Sequence, residues 1–204
     1  MDYSKQKILT DVDGVLLDWT SSFEAWLKET QNIHVEYSTD ETLYDLGQRY
    51  GFSQDQITRL IERFNSSAWI GFIKPYKDAV KVVGEFKTNN WHFEAITSSH
   101  HDHWASELRR QNLERWFEKA IRRTRCLPTQ APKDDVLKEY EGTGFWWIED
   151  KPENCETGLK YGLRPILMSH PFNEQYNNPE VVRVQNWAEI FKIVTKVLHN
   201  SNLF

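Results

Sequence analysis

ILTDVDGVLLDW, residues 8–19, begins as an apolar strand and then places two carboxylates, Asp11 and Asp13, on either side of one valine. Two like charges this close repel each other and resist burial, so their position at the end of a core strand requires a physical reason. Gly14 follows directly and permits a tight turn. Ligands of open parallel sheets bind outside the carboxyl ends of the strands. The stretch therefore predicts a binding site at the tip of the first strand.

Short apolar runs alternate with helical patterns along the rest of the chain. Strands are predicted at residues 7–10, 91–97, 118–124, 145–149, 164–169 and 181–184. Helices are predicted at residues 76–90, 102–117, 132–140 and 152–162, followed by a last helix with Asn186 as its N-cap. This alternation predicts an α/β fold, a doubly wound and mostly parallel sheet with helices on both faces.

One region, residues 18–74, shows helical patterns and no convincing strand. Ser53 and Gln56 have the spacing of a capping box, and apolar residues follow them at helical spacing. We therefore predict a core domain of residues 1–17 and 75–204 and a helical insertion of residues 18–74. An insertion directly after the first strand overhangs the tip of that strand.

The composition suits one domain with a modest insertion, since the chain has 204 residues, 39% of them hydrophobic. Its formal net charge of −5 argues against binding nucleic acid through overall charge. Two cysteines, Cys126 and Cys155, are too few for a disulfide framework. The N-terminus lacks the apolar segment of a signal peptide, and no run of residues is long enough to span a membrane. These features predict a soluble, cytoplasmic protein with reduced thiols.

A divalent cation would reconcile the paired carboxylates with burial. Mg²⁺ takes oxygen ligands and keeps some of its waters, which suits carboxylates together with a substrate phosphate. One carboxylate can then attack phosphorus while the other moves protons. The alternative is that Asp11 and Asp13 form only a turn and a helix cap.

The run DVDGVL resembles the first motif of the haloacid dehalogenase (HAD) superfamily, most of whose members are Mg²⁺-dependent phosphatases. The run AITSS supplies Thr97 where the superfamily has a Ser or Thr ending the next core strand. APKDD supplies Lys133 where it has a lysine opening a later helix, and WWIEDKPEN supplies Glu149 and Asp150 where it has an acidic pair. The four motifs span residues 8–154, so the resemblance covers nearly all of the predicted core.

The resemblance implies a role for each matching residue. Asp11 would be the nucleophile and a Mg²⁺ ligand. Asp13 would protonate the leaving oxygen, later deprotonate the attacking water, and bind the metal through its backbone carbonyl. Thr97 would hydrogen-bond a phosphoryl oxygen with help from the Ser98 N–H. Lys133 would neutralise charge among the phosphate and the carboxylates.

The fourth motif departs from the superfamily, because Glu149-Asp150 stands where Asp-Asp or Gly-Asp is commoner. We assign Asp150 as the second side-chain metal ligand and Glu149 as a supporting acid behind it. Asn154 takes the place of an acid found in some members, so its implied role is accessory. Dehalogenases lack the acid at the position of Asp13, and its presence here favours phosphate esters. Thr97, Lys133 and Asp150 could instead be an ordinary strand end, a solvated lysine and a helix cap.

The insertion lies where the superfamily places its C1 cap, which closes over the site and selects the substrate. Its aromatic residues suit stacking on a nucleobase, although any single one of them could instead belong to the core of the insertion. Trp19 and Trp69 flank the insertion and are predicted to bind substrate. The runs DVDGVLLDW, ITSS and WIEDKPEN further resemble 5'(3')-deoxyribonucleotidases. The predicted substrate is therefore a small phosphate ester, a nucleoside monophosphate, and the chain could be a monomer or a homodimer.

Two further clusters have alternative interpretations. In HHDHW, residues 100–104, the histidines could bind a transition metal or touch substrate, and Asp102 could cap the following helix. Arg122, Arg123 and Arg125 could form a solvated edge or receive a second phosphate or a nucleic-acid end. The alternative functions are a polynucleotide 3'-phosphatase, a sugar-phosphate phosphatase and a non-catalytic binding module.

Overall fold

A six-stranded, all-parallel sheet forms the centre of the computed structural model, which describes residues 6–35 and 40–201, with side chains to residue 196. The strands are β1 Lys7–Thr10, β2 His92–Thr97, β3 Ile121–Cys126, β4 Trp146–Glu149, β5 Arg164–Met168 and β6 Val182–Val184. Their order in the sheet is β3-β2-β1-β4-β5-β6. The order reverses between β1 and β4, and such a switch point opens a crevice at the carboxyl ends of the strands.

Helices cover both faces of the sheet. They are α1 Trp19–Gln31, α2 Leu46–Tyr50, α3 Gln54–Asn65, α4 Lys77–Thr88, α5 His103–Phe117, α6 Asp134–Lys138, α7 Pro152–Lys160 and α8 Trp187–Ser201. Alternate strand residues face opposite layers. Ile8 belongs to the large apolar cluster with α4, α5 and α8, whereas Leu9 belongs to a second cluster with α6. The predicted fold class is confirmed.

The predicted caps explain where several helices begin. Ser53 and Gln56 form the predicted capping box at α3. Asn186 Oδ1 accepts a hydrogen bond from Glu189 N at 3.1 Å, which starts α8 where predicted. The third strand was predicted too early, because α5 ends at Phe117, the next residue Glu118 has a positive φ of 49°, and residues 118–120 form a 3-10 turn.

The predicted insertion leaves and rejoins the core at one place. Asp18 N donates to Lys74 O at 2.9 Å, and Tyr76 N donates to Leu16 O at 3.0 Å. Between these points, residues 18–35 and 40–74 contain helices and a 3-10 turn at Ala68–Gly71, with no strand. The division into domains at residues 18 and 74 stays a prediction.

Helix α5 of the core holds the end of this insertion. Asn112 Nδ2 donates to Ile70 O at 3.3 Å and to Ile73 O at 3.1 Å, and Trp116 Nε1 also donates to Ile73 O, at 3.2 Å. Because Asn112 is fully buried, these bonds satisfy polar groups that water cannot reach. None of the described helices is long and apolar enough to cross a membrane.

Candidate active site

Three neighbouring strands bring the predicted residues together. Asp11 follows β1, Thr97 ends β2 and Glu149 ends β4. Since β1 lies between β2 and β4 in a parallel sheet, the three tips meet at the same side of the molecule. The backbone N–H of Asp11 donates to Ile148 O at 2.8 Å and fixes the tip of β1 beside that of β4.

Lys133 forms the cationic centre of this cluster. Its Nζ lies 2.9 Å from Asp11 Oδ1 and 2.8 Å from Glu149 Oε2, with only 3% of the side chain exposed. Burial alone would lower the pKa of Lys133, but the two carboxylates raise it overall. Lys133 is therefore a permanent positive charge inside the site, as its predicted role requires.

Glu149 is fully engaged by hydrogen-bond donors. Its Oε1 accepts from Asp150 N at 3.0 Å and Lys151 N at 3.1 Å. Its Oε2 accepts from Asn154 Nδ2 at 3.0 Å and from Lys133. Glu149 and Asn154 thus orient the chain around Asp150, and their support of a metal ligand stays a prediction.

The acidic cluster fits a hard divalent cation. Carboxylate oxygens of Asp11, Glu149 and Asp150 lie within 4.8 Å of one another, and an all-oxygen donor set suits Mg²⁺. Burial, together with repulsion from Glu149, raises the pKa of Asp11 to about 7. Burial and repulsion from Asp11 raise that of Asp150 to about 7. Excess buried negative charge is what a bound cation would relieve.

Gly14 allows the loop after β1 to approach Asp150. Its φ is +80°, and a Cβ at this position would lie 2.1 Å from Asp150 Oδ2. No other residue fits here without moving the carboxylate. The turn predicted from the sequence therefore serves the close approach of two loops that bear acidic residues.

Asp13 forms an ion pair with the buried Arg109, a residue that was not predicted from the sequence. Its Oδ2 lies 2.9 Å from Nη2 of Arg109 and 3.5 Å from Thr97 Oγ1. Burial raises the pKa of Asp13 to about 6, although Arg109 opposes the rise. A carboxyl with such a pKa can both give and take a proton near neutral pH.

A signal for Arg109 exists in the sequence. The buried face of α5 comprises Ala105, Arg109, Asn112, Leu113 and Phe117. A charged residue at helical spacing within an otherwise buried face requires a buried partner. The carboxylates after β1 were the available partners, but pattern alone does not identify which one is paired.

A cleft of about 760 Å³ lies between the insertion and the strand tips. Trp19 and Ser98 line it, and their binding of substrate stays a prediction. Trp19 stacks on Phe23 with ring centroids 4.8 Å apart, and its Nε1 donates to Asn65 Oδ1 at 2.9 Å. Trp69 is not among the residues that line the cleft and packs instead against the apolar core, because its 3-10 turn is held by α5.

The loop after β5 contributes cleft residues that were not predicted. His170 Nε2 donates to Gly14 O at 2.7 Å, and the imidazole stacks on Phe172 with centroids 5.2 Å apart. Burial lowers the pKa of His170, which suits the neutral ring seen in this contact. On the insertion side, Tyr44 packs edge-on against Phe172. The tip of β5 lies beside that of β4, so the residues that follow β5, HPFN at 170–173, lie at the same edge of the sheet.

Three residues of the two ambiguous clusters have structural partners, namely Asp102, His100 and Arg125. Asp102 caps α5 by accepting from Trp104 N and Ala105 N, and its Oδ2 lies 2.6 Å from His100 Nδ1. Among the described residues, Asp11, Glu149 and Asp150 are the only group of three or more such side chains close enough to share an ion, and the group contains no histidine. Arg125 forms a bidentate ion pair with Glu139 at 2.5 and 2.6 Å.

Comparison with known proteins places this geometry in a known fold. No protein-family model matches the chain. An uncharacterized 32.4 kDa protein of Enterobacteria phage T4 is 26% identical over 193 residues, which cover 91% of this chain and 68% of that protein. A haloacid dehalogenase-like hydrolase from Streptococcus pneumoniae superposes with a TM-score of 0.63 at 13% identity, covering 93% of this chain and 98% of that one.

A second solved structure, the D,D-heptose 1,7-bisphosphate phosphatase of B. bronchiseptica complexed with magnesium and phosphate, superposes with a TM-score of 0.56 at 9% identity. The match covers 94% of this chain and 98% of that one. These likenesses confirm the fold predicted from the motifs: the chain has the α/β fold of HAD-like hydrolases.

Proposed function

We propose that the chain is a Mg²⁺-dependent phosphomonoesterase that works through an aspartyl-phosphate and hydrolyses nucleoside monophosphates. One observation supports this most directly. Asp11, Asp13, Thr97, Lys133 and Asp150 all line one cleft at the tips of adjacent strands. That set provides a nucleophile, an acid, a hydroxyl donor and a cation, which together meet the demands of phosphoryl transfer.

The first half of the reaction transfers the phosphoryl group to Asp11. Lys133 and Val12 N both bind Asp11 Oδ1, which leaves Oδ2 as the attacking oxygen. Oδ2 bonds to phosphorus as the ester P–O bond breaks, and Asp13 gives its proton to the departing oxygen. The alcohol leaves, and Asp11 holds the phosphoryl group.

The second half regenerates the carboxylate. Water attacks the phosphorus while Asp13, now ionised, takes a proton from it. The bond from phosphorus to Asp11 breaks, and inorganic phosphate leaves. Thr97 donates to a phosphoryl oxygen in both halves. Asp11, Asp150 and the backbone carbonyl of Asp13 would hold Mg²⁺, which supplies positive charge against the phosphate oxygens.

The insertion side of the cleft favours a substrate with one phosphate and an uncharged body. Glu24, Glu41 and Asp45 line this side. Arg49 lies 3.7 Å from Glu24 and 3.6 Å from Glu41, so its charge is compensated. These carboxylates repel a second phosphate, whereas Trp19 offers an aromatic surface to a base.

A substrate panel tests the proposal. Purified protein with Mg²⁺ is assayed for phosphate release from ribo- and deoxymononucleotides, sugar mono- and bisphosphates and p-nitrophenyl phosphate, with Asp11→Asn as the control for contaminating phosphatase. We expect nucleotides to give the highest kcat/KM. Turnover confined to sugar phosphates would exclude the nucleotide, and no turnover of any ester would exclude the enzyme in favour of a binding module.

A second candidate function has one observation in its favour. A groove of about 570 Å³ adjoins the cleft, because Thr129 lines both. Arg59, Arg63, His100 and His101 line this groove and could follow the backbone of a nucleic-acid strand. A 3'-phosphorylated oligonucleotide added to the panel separates a polynucleotide 3'-phosphatase from a mononucleotidase. A higher kcat/KM for the oligonucleotide would favour this candidate.

A further inference from the structure

We propose that Arg109 is a positioning residue that holds the Asp13 carboxylate in place for proton transfer. The inference rests on the proposed function, because it concerns the acid of that reaction. Arg109 Nη2 lies 2.9 Å from Asp13 Oδ2, and the Arg109 side chain is fully buried. Arg109 therefore acts on the substrate only through Asp13.

The contact is specific to Asp13. Among the described residues, Arg109 is the only cationic side chain within 4.0 Å of the Asp13 carboxylate. The other buried cation of the site, Lys133, pairs with Asp11 and Glu149. A buried arginine is expensive to desolvate, and a well-packed apolar residue of similar size often serves stability as well. Its presence is better explained by the carboxylate that it holds than by packing.

The ion pair has spare hydrogen-bonding capacity on both sides. Nε and Nη1 of Arg109 have no hydrogen-bond partner within the described part of the chain, and neither does Asp13 Oδ1. Orphaned donors are rare among buried polar groups. The spare donors allow the carboxylate to turn toward the leaving oxygen and away again while Arg109 still binds one of its oxygens. A lysine in this place would offer a point charge without the planar fork.

The experiment compares two substrates that differ in their need for an acid. The leaving alkoxide of a nucleotide requires a proton, whereas p-nitrophenolate leaves without one. For each substrate we measure kcat/KM, which depends on the steps up to and including phosphorylation of Asp11. The variants are Arg109→Met, Arg109→Lys, Asp13→Asn and, as a control on the same helix, Arg115→Met. Arg115 donates to Gly71 O and has no contact with Asp13.

We expect Arg109→Met to lower kcat/KM for the nucleotide by about 10- to 100-fold, a part of the usual general-acid effect. It should lower that for p-nitrophenyl phosphate by less than about threefold. Arg109→Lys should fall between wild type and Arg109→Met on the nucleotide, and Arg115→Met should match wild type on both substrates. Equal losses on both substrates, or no loss on either, would overturn the proposal.

Two further measurements keep the result decisive. If Arg109→Met does not fold, Arg109→Lys replaces it, since it retains the charge. The double variant Arg109→Lys/Asp13→Asn should be no slower on the nucleotide than Asp13→Asn alone, because the arginine acts through that carboxylate. An additive loss would contradict the positioning role. If Asp13→Asn itself spares the nucleotide, the proposed acid is wrong whatever Arg109 does.

Discussion

Asp11 and Asp13 each contact a separate buried cation. Lys133 binds Asp11 and Arg109 binds Asp13, both at 2.9 Å. Two cations do not balance all the buried carboxylates, since Glu149 and Asp150 lie in the same cluster. Burial raises the pKa values of Asp11 and Asp150, and repulsion between the carboxylates raises them further. The residual negative charge is also the reason that the site fits a divalent cation.

Asp11→Asn should abolish phosphate release without unfolding the protein. Loss of a nucleophile lowers turnover by a factor of at least about 1,000. Because ionisation of Asp11 is disfavoured in the folded state, a neutral side chain of the same shape should leave Tm unchanged at pH 8 or raise it by about 2–4 °C. Phosphate release and thermal melting test both parts. A retained rate, or a lower Tm, would contradict this assignment.

Asp150→Asn and Glu149→Gln should separate a metal ligand from its support. Asp150→Asn should raise the Mg²⁺ concentration for half-maximal activity by about 10- to 100-fold and leave Tm almost unchanged. Glu149→Gln places an NH₂ among four donors, one of them Lys133. It should therefore destabilise the fold by about 2–4 kcal/mol. The opposite pattern, with Glu149→Gln changing only the Mg²⁺ requirement, would make Glu149 the ligand.

At the scale of residues, the sequence predicted the positions of the candidate-site residues that lie at a strand tip. Asp11, Thr97 and Glu149 end or follow apolar runs that are unmistakable strands. Arg109 lies in the middle of α5, and its partner is 96 residues away. Pairing at such separation depends on how α5 packs on the sheet, which hydrophobic periodicity does not determine.

At the scale of elements, the loop between β5 and β6 is hydrogen-bonded to two other loops, those that follow β1 and β4. Asn173 is 2% exposed and donates to Asp150 O and Met168 O, both at 2.8 Å. It accepts from His170 N at 3.1 Å and Arg183 Nη1 at 2.9 Å. Its whole hydrogen-bonding capacity is therefore used, and the loop ties the backbone of Asp150 to that of Gly14 through His170.

Asn173→Ala should lower stability and weaken Mg²⁺ binding together. The buried groups left without partners should cost about 2–4 kcal/mol, or about 5–15 °C in Tm for a domain of this size. Calorimetric titration of Mg²⁺ should show an affinity reduced by about tenfold. Asn178→Ala, which breaks surface hydrogen bonds to Glu156 and Glu180, is the matched control and should change neither. An unchanged Mg²⁺ affinity in Asn173→Ala would show that the loop only stabilises the fold.

The elements that were misplaced are those whose ends depend on neighbours. The third strand begins at Ile121 because α5 continues to Phe117 and needs a 3-10 turn to reverse. Trp69 lies at the boundary of the insertion, yet the contacts of α5 with residues 70–73 turn that segment toward the core. Local sequence patterns do not contain these tertiary contacts, whereas the strands and capped helices were predicted from local signals.

At the scale of the whole molecule, acidic side chains line both sides of the cleft. The strand tips combine acidic residues with Lys133, whereas the insertion side presents Glu24, Glu41 and Asp45. The same charge excess that would attract a cation to the strand tips would also repel a free phosphate in its absence. We therefore expect Mg²⁺ to bind before substrate, and this order makes the stability of the metal-free protein informative.

Mg²⁺ should stabilise the protein more at pH 8 than at pH 6. Burial raises the pKa values of Asp11 and Asp150 to about 7 in the folded metal-free protein, well above the ordinary value of 3.8. The folded state therefore holds these protons more tightly than the unfolded state. The contribution of these two groups to stability falls as pH rises from about 4 to about 7. At pH 8 both carboxylates are ionised and free to bind Mg²⁺, whereas at pH 6 protons compete for them.

With Mg²⁺ at ten times its dissociation constant at pH 8, binding adds about 1.4 kcal/mol. This raises Tm by about 3–6 °C, and the same concentration at pH 6 should give less than half that shift. Melting curves of wild type and Asp150→Asn at both pH values test this. An equal shift at the two pH values, or a full shift in Asp150→Asn, would show that the ion binds somewhere other than these carboxylates.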